Sequence, residues 1–210
     1  PRDVAWKMTA TMAHPLNHPV YNTRKRRVTE GYSILQPRVS NSLPLGSSSI
    51  YAKVHGNEAG TDPYTRAVSD VYQDLFNERS FIGKGIYDVA AFEKALKNRF
   101  PENRILSHDL LEGAYSRSGL ITDVQLYEEY PSDYVLDMQR RHRWIRGDWQ
   151  IAGWMTPLVT GFDKKLHRNP LSLLSIWKIT DNLRRSLIPI ALLLIFLAGW
   201  TILSNPVFWT

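Results

Sequence analysis

The chain has 210 residues, of which 43% are hydrophobic and none is cysteine. This length and composition suit one globular domain with additional segments, and they exclude disulfide bonds and thiolate metal sites. The formal net charge of +6 favours an anionic partner such as phosphate, anionic lipid or nucleic acid. The chain opens on Pro1 and not on methionine, so we expect it to be a section of a longer polypeptide.

The first forty residues contain a histidine pair, a basic run and one predicted strand. His14 and His18 are a candidate metal pair, but the adjacent prolines argue against the helix that would hold both imidazoles on one ion. Residues 24–27 read R-K-R-R, which is typical of a solvated loop or, alternatively, of a site for phosphate or a lipid headgroup. Residues 34–39, I-L-Q-P-R-V, predict a strand in which Pro37 marks a sheet edge or a strand end.

A glycine-containing loop is predicted within residues 80–89, S-F-I-G-K-G-I-Y-D-V. Gly83 and Gly85 flank Lys84 and let the backbone approach another group closely. A nucleotide P-loop would need more glycine and a serine or threonine after the lysine. We therefore interpret the segment as a tight loop that presents Phe81 and Lys84 to a cleft. Apolar spacing predicts helices on either side of it, at residues 68–76 and 88–100.

Residues 105–113, I-L-S-H-D-L-L-E-G, read as the end of a strand followed by the first turn of a helix. Asp109 stands at this junction, and ligands of α/β proteins bind at the carboxyl ends of strands. We predict that Asp109 is a general base that takes a proton from a substrate hydroxyl group. The alternative is that Asp109 caps the following helix, since aspartate is a favoured N-cap residue.

A strand predicted from residue 119 onward leads to a predicted arginine-rich helix at residues 134–149, Y-V-L-D-M-Q-R-R-H-R-W-I-R-G-D-W. Arg140, Arg143 and Trp144 fall on neighbouring positions of one face of that helix. Guanidinium groups bind diphosphate bidentately, and a tryptophan ring stacks on the C–H face of a sugar. The alternatives are a solvated basic helix and a helix that binds nucleic acid.

The C-terminal part carries a predicted transmembrane helix. Residues 187–203, L-I-P-I-A-L-L-L-I-F-L-A-G-W-T-I-L, are uncharged and long enough to cross most of a bilayer core, with Pro189 expected in the first turn. Positive charge marks the cytoplasmic side, so we expect residues 1–186 to be cytoplasmic. The basic residues that precede the run are Lys164, Lys165, Arg168, Lys178, Arg184 and Arg185.

A second, amphipathic helix is predicted just before this run. Asn169 and Pro170 suit an N-cap and the first helical position, and the leucines that follow give the helix an apolar side. Together with the basic residues, this pattern is typical of a helix lying in the membrane surface. Packing of the same helix on the soluble domain is the alternative.

The motifs together resemble those of processive, membrane-bound glycosyltransferases with a GT-A fold, such as cellulose and chitin synthases. Arg140, Arg143 and Trp144 fill the (Q/R)-x-x-R-W motif of that family, and Asp109 occupies the place of its catalytic aspartate. Four longer stretches resemble the glycosyltransferase domain of bacterial cyclic β-1,2-glucan synthases. They are G-Y-x-I-L-Q-P-R-V, F-x-G-K-G-I-Y-D-V, F-P-E-N-R-I-L-S-H-D-L-L-E-G and Q-R-R-H-R-W-I-R-G-D-W-Q.

The resemblance implies an α/β chain in three parts: residues 1–160 as the C-terminal part of a GT-A-like domain, 161–186 as a basic interface segment and 187–210 as a transmembrane helix. It implies an inverting transfer of glucose from UDP-glucose to a growing β-1,2-glucan at the bacterial inner membrane. Asp109 would act as base, assisted by His108. The implied substrate-binding residues are Phe81, Gly83, Lys84, Gly85, Arg140, Arg143 and Trp144.

The metal-binding D-x-D motif of the family is absent from residues 1–210. The resemblance therefore implies that a divalent metal, Mg or Mn, is held mainly by residues outside this chain, and we predict no complete metal site within it. We expect the chain to need the remainder of a parent polypeptide, and alone to bind UDP-glucose poorly and to be inactive.

Two other classes of function compete with this interpretation. One is a membrane-anchored, metal-dependent phosphohydrolase that uses His108 and Asp109 as metal ligands, which would require further histidine and aspartate ligands. The other is a non-catalytic, basic, membrane-anchored module that binds nucleic acid or anionic lipid through residues 140–146.

Overall fold

The computed structural model describes residues 3–42, 49–55, 71–105 and 109–209. The helices within these ranges are α1 (Val4–Ala13), α2 (Ile50–His55), α3 (Val71–Phe76), α4 (Val89–Leu96), α5 (Asp109–Ser116), α6 (Tyr134–Gln150) and α7 (Leu173–Thr201). The strands are β1 (Val20–Asn22), β2 (Arg27–Glu30), β3 (Ile34–Asn41), β4 (Ile86–Tyr87), β5 (Ser118–Glu128), β6 (Leu158–Thr160) and β7 (Leu166–Arg168). The chain is therefore mixed α/β, as the sequence predicted.

The central sheet has three strands in the order β4-β3-β5. Strand β3 runs parallel to β5 and antiparallel to β4, with Ile34 opposite Ser118 on one side and Tyr87 on the other. Of the two predictions for Pro37, the strand end is wrong, because β3 continues to Asn41, whereas a sheet edge agrees with β4 ending at the level of Leu35. The proline also marks a break in register, since the pairing with β5 shifts directly after it. Because β4 does not extend to Pro37, the N–H that proline lacks costs no hydrogen bond on that side of the sheet.

Several elements agree with the sequence pattern. Helix α4 begins after Asp88, whose carboxylate accepts a hydrogen bond from the Ala91 N–H, although it ends at Leu96 and not at residue 100. Helix α6 begins after Asp133, whose carboxylate accepts from the Leu136 N–H. Both are N-caps of the usual kind. Strand β5 and helix α3 also lie where they were predicted, except that residues 68–70 of the α3 prediction lie outside the described residues.

The strand predicted to end before Asp109 is not found in the described residues. Ile105 lies outside any strand, and residues 106–108 lie outside the described part of the chain. Asp109 is the first residue of α5. A carboxylate in the first turn is favoured by the helix dipole, so the local position of Asp109 is stable without the predicted strand.

The main hydrophobic core joins the first half of α7 to the α/β part. Ile179 and Leu183 of α7 are buried with Val28, Leu111 and Tyr115. A smaller cluster under α1 contains Leu35, Ile121 and Val124. Part of the helix that was predicted to lie in the membrane surface is therefore packed on the protein, whereas Leu173 of its predicted apolar side is exposed.

Helix α7 is one continuous helix of 29 residues, and not an interface helix followed by a separate span. Its N-cap is Ser172, whose hydroxyl accepts from the Ser175 N–H, and not Asn169. Pro189 lies inside the helix, well beyond the first turn. Among the described residues α7 is the one helix long and apolar enough to cross a membrane, with a mean hydropathy of 1.7 over its most apolar window. This is consistent with membrane association.

Three side chains of α7 hold other parts of the chain in place. The buried Lys178 amine donates to the Glu78 carbonyl oxygen at 3.0 Å and lies 3.7 Å from the Glu78 carboxylate. Further along, the Asn182 amide donates to Asp148 at 3.1 Å, and the Trp149 indole donates to the Ser186 hydroxyl at 3.2 Å. Helix α7 thus anchors both the segment before the glycine loop and the end of α6.

Candidate functional site

The glycine loop is fixed to the central sheet by one side chain. Gln36 of β3 is fully buried; its amide N–H donates to the Ser80 carbonyl at 3.0 Å, and its amide oxygen accepts from the Ile82 N–H at 3.1 Å. Gly85 lies so close to β3 that an added Cβ would stand 2.6 Å from the Leu35 carbonyl oxygen. The loop therefore has a defined position relative to β3.

Gly83 and Asp109 are in direct contact. Gly83 has φ +83°, and a Cβ built on it would stand 2.8 Å from Asp109 Oδ2. Only glycine combines this backbone conformation with this close approach. The two segments singled out in the sequence, the glycine loop and the start of α5, thus meet at the Asp109 carboxylate. Asp109 is partly exposed, so it is accessible to a ligand.

Phe81 does not face a cleft, contrary to our expectation. Its side chain is only 3% exposed, it packs edge-on against Tyr87, and its Cβ would stand 2.8 Å from a Cβ added at Gly113. Phe81 therefore packs between the glycine loop and α5.

The pKa of Tyr87 is affected by the negative charge around Asp109. Burial raises the pKa of the Tyr87 hydroxyl, and the carboxylates of Glu112 and Asp109 raise it further. Both acidic side chains of the first turn of α5 therefore lie near the Tyr87 ring. This side of the site is electronegative, which favours proton abstraction and opposes the binding of an anion there.

Lys84 links this acidic side to the arginines of α6. Its amine forms an ion pair with Glu128 at the end of β5. Burial lowers the Lys84 pKa, and repulsion by the Arg140 guanidinium lowers it further. Lys84 and Arg140 therefore lie within range of each other's charge.

Two arginines of α6 are oriented by Asp137, a carboxylate for which the sequence predicted no role. Asp137 is fully buried; its Oδ1 accepts from Arg140 at 2.7 Å, and its Oδ2 accepts from Arg141 at 2.8 Å and from the Tyr51 hydroxyl at 2.9 Å. Burial raises the Asp137 pKa, but the bonds from Arg141, Tyr51 and Arg140 outweigh it and hold the pKa below its usual value. Asp137 therefore stays ionised and fixes Arg140.

Arg140 also lies over aromatic rings. Its guanidinium carbon is 4.9 Å from the Trp144 ring centroid and 5.5 Å from that of Tyr130. The Arg140 Nε atom is shielded from solvent and has no hydrogen-bond partner among the described residues. Buried donors of this kind are normally satisfied, so a ligand oxygen is a natural acceptor for it.

Arg143 and Trp144 lie on the outer surface of α6, and both are exposed. The prediction that Arg140 and Trp144 share one helix face is confirmed by their contact. Asp109 lies against Gly83, the next loop residue Lys84 lies within electrostatic range of Arg140, and Arg140 lies over the Trp144 ring. His108 lies outside the described residues.

Two residues that support the site were missed in the sequence. Gln36 belongs to a motif that predicted only a strand, and Asp137 lies in the predicted arginine-rich helix, where the sequence predicted no role for it. The spacing of Asp137 from Arg140 and Arg141, three and four residues, is the signal that could have indicated ion pairing on one helix.

No group of three or more histidine, aspartate or glutamate side chains that could hold a metal occurs within residues 3–42, 49–55, 71–105 and 109–209. The additional ligands that a phosphohydrolase would require beside Asp109 are therefore not provided by these residues.

Comparison with known proteins identifies the class. No protein-family model matches the chain. Over 200 residues, 95% of its length, the chain is 50% identical to the cyclic beta-(1,2)-glucan synthase NdvB of Rhizobium meliloti (strain 1021). The chain is thus homologous to a segment of a glucan synthase, which confirms the resemblance to cyclic β-1,2-glucan synthases. It spans about 7% of the length of that relative.

Proposed function

We propose that this chain forms the acceptor and leaving-group side of a glucosyltransferase centre that extends a β-1,2-glucan from UDP-glucose. The observation that carries the proposal is the close approach of the Asp109 carboxylate to Gly83, in the loop whose Lys84 is repelled by the charge of Arg140. A carboxylate and an arginine–tryptophan surface on either side of one loop are the two parts that such a transfer needs. The similarity to a glucan synthase supports the choice of substrate class.

The reaction is a single displacement with inversion at the anomeric carbon. The acceptor 2-hydroxyl oxygen forms a bond to that carbon while the bond to the UDP oxygen breaks. Asp109 accepts the hydroxyl proton, and the electron pair of the broken bond leaves on the UDP diphosphate.

The leaving group is received by positive charge on α6. Arg140 offers its unpaired Nε donor, and Arg143 adds a second guanidinium one turn further along the helix. Charge-assisted bonds to the diphosphate stabilise the negative charge that develops as UDP departs. Trp144 provides a ring for stacking against the acceptor sugar.

The described residues do not fit a complete divalent-metal site, because they contain no cluster of three suitable ligands. A Mg or Mn ion of the whole enzyme would be held mainly by residues outside this chain.

The GT-A fold, the inner-membrane location and the cytoplasmic side for residues 1–186 form part of the same proposal. Helix α7 supports the location, since its second half exposes a nearly continuous apolar surface. The remainder of the parent polypeptide would supply the donor-binding part, and the glucan chain and the membrane are the other partners.

Substitution of Asp109 tests the proposal in the full-length enzyme. Asp109→Asn should lower glucan synthesis at least about 100-fold, the usual contribution of a general base, and leave UDP-glucose affinity within about twofold. Asp123→Asn is the control, because Asp123 is a well-exposed carboxylate that only pairs weakly with Lys7. Synthesis near the wild-type rate in the Asp109 variant would refute the assignment.

A further inference from the structure

A cavity elsewhere in the chain shares no lining residue with the candidate transferase site. Its volume is about 300 Å³, and it opens between the R-K-R-R turn, the end of α4 and the β6–β7 hairpin. Its lining includes Arg26, Arg99, Phe162, Asp163, His167 and Arg168. The cavity therefore gathers basic side chains from three separate parts of the chain.

Arg99 is held rigidly at the wall of this cavity. Its Nε donates to the Ala95 carbonyl at 3.0 Å, and its Nη2 donates to the Tyr21 hydroxyl at 2.8 Å and to the Arg26 carbonyl at 3.2 Å. The guanidinium also lies over the Tyr115 ring, 5.8 Å from the centroid. A guanidinium fixed in advance loses little freedom when it binds an anion.

The charge of the cavity is strongly positive. Arg26, Arg99 and Arg168 line it, whereas Asp163 is the one carboxylate among its lining residues. That carboxylate is already engaged, since it accepts from His167 Nε2 at 2.8 Å and from the Lys165 N–H at 3.1 Å. Repulsion between the guanidinium groups is relieved when an anion enters.

We propose that this cavity binds the phosphate group of a small soluble molecule about the size of a sugar phosphate. Arginines bind phosphate oxygens bidentately, and about 300 Å³ lies at the small end of ligand pockets. The half-exposed Phe162 ring offers an apolar surface to the rest of the molecule. This proposal assigns Arg26 of the R-K-R-R run to anion binding, one of the two roles that the composition of the run predicted.

A lipid headgroup is the other source of the same chemistry, and the geometry of α7 disfavours it. The cavity residue Pro170 precedes Leu173, where α7 begins. The uncharged run starts at Leu187, about 20 Å further along the helix axis at 1.5 Å per residue. The cavity thus lies toward the end of α7 that is remote from the apolar run.

The test uses the full-length protein in nanodiscs with saturating UDP, which occupies the proposed transferase site, and calorimetric titration with inorganic phosphate. Arg26→Gln combined with Arg168→Gln should weaken phosphate binding about tenfold or more, since bonds to charged groups are strong. Arg24→Gln combined with Lys25→Gln is the control. It removes the same formal charge, from residues of the R-K-R-R turn that do not line the cavity, and should change the affinity less than about twofold.

Three results would overturn the proposal. They are equal weakening by both pairs of substitutions, absence of phosphate binding in the wild-type protein under these conditions, and loss of phosphate binding when phosphatidylcholine nanodiscs are exchanged for discs containing phosphatidylglycerol. The last result would assign the cavity to a lipid headgroup. Unchanged melting temperatures of both double variants show that the comparison is between folded proteins.

Discussion

At the scale of single residues, the candidate site depends on a close contact between one glycine and one carboxylate. Gly83 leaves no room for a side chain, because an added Cβ would stand 2.8 Å from Asp109 Oδ2. The positive φ of +83° would strain any other residue as well. The position of the Asp109 carboxylate is therefore set by a residue on another segment.

Gly83→Ala should displace Asp109 and lower the turnover number for glucan synthesis by at least about tenfold, since small errors in positioning a catalytic group are costly. UDP-glucose affinity should stay within about twofold. Gly153→Ala is the matched control, because no atom lies within 4 Å of a Cβ added there. Steady-state kinetics of the full-length enzyme check this, and equal effects of the two substitutions would contradict it.

Asp137 is the residue whose loss should disturb the arginines most. Asp137→Asn removes the charge that holds Arg140 and Arg141, and should lower the free energy of unfolding by about 1–3 kcal/mol at neutral pH. Because the Asp137 pKa is lowered in the folded state, its stabilising effect is present above the usual carboxyl pKa and is lost as pH falls through the lowered value. Thermal melting from pH 7 down to pH 3 should show a variant that is less stable at pH 7 and converges with wild type in acid; parallel curves would contradict this.

At the scale of elements, the sequence predicted those whose signals are local. The caps and apolar spacing of α4 and α6 lie within the elements themselves, and Asp88 and Asp133 begin these helices as capping residues do. The close approach of Gly83 was also predicted, because glycines that flank a lysine let the backbone come close to another group.

Features that depend on distant contacts could not be read from the sequence. The burial of Phe81 results from α5, whose Gly113 leaves space for it, and this contact joins residues far apart in the chain. Likewise the amphipathic first half of α7 has the composition of an interface helix, but Ile179 and Leu183 are covered by the main core. Composition predicts that a helix has an apolar side, but it does not indicate which surface covers that side.

Helix α7 connects the site to the apolar run, and Lys178 is the main polar contact that it makes with the segment before the glycine loop. Lys178→Met would leave the Glu78 carbonyl and carboxylate without this buried partner, and should lower the free energy of unfolding by about 1–3 kcal/mol. Lys164→Met in the exposed β6–β7 turn should have no measurable effect. Denaturant titration checks the pair, and an unchanged midpoint for the Lys178 variant would contradict the anchoring role.

At the scale of the whole molecule, the chain joins an α/β part to a helix with two distinct surroundings. The first half of α7 is embedded in the protein core, and the second half exposes leucine, isoleucine and tryptophan side chains. Exposed apolar surface of this extent is typical of contact with lipid. This surface is consistent with membrane association of the chain.

Membrane insertion of α7 can be measured in a translocon reporter that carries the whole helix. Leu194→Arg should raise the apparent free energy of insertion by about 3 kcal/mol, because a charge near the centre of a span is costly. Leu173→Arg adds the same charge at the exposed start of α7 and should change it by less than about 0.5 kcal/mol. Equal effects at the two positions would show that residues 187–203 do not define the span.

The most direct test of the whole account is an experimental structure of the full-length enzyme with UDP and a short β-1,2-glucan bound. The account predicts that the acceptor hydroxyl lies within about 3.2 Å of the Asp109 carboxylate, the reach of a general base. It also predicts that Arg140 and Arg143 contact the UDP diphosphate. A glucan end bound away from Asp109, or UDP bound away from these two arginines, would contradict the assignment of this chain to the transferase centre.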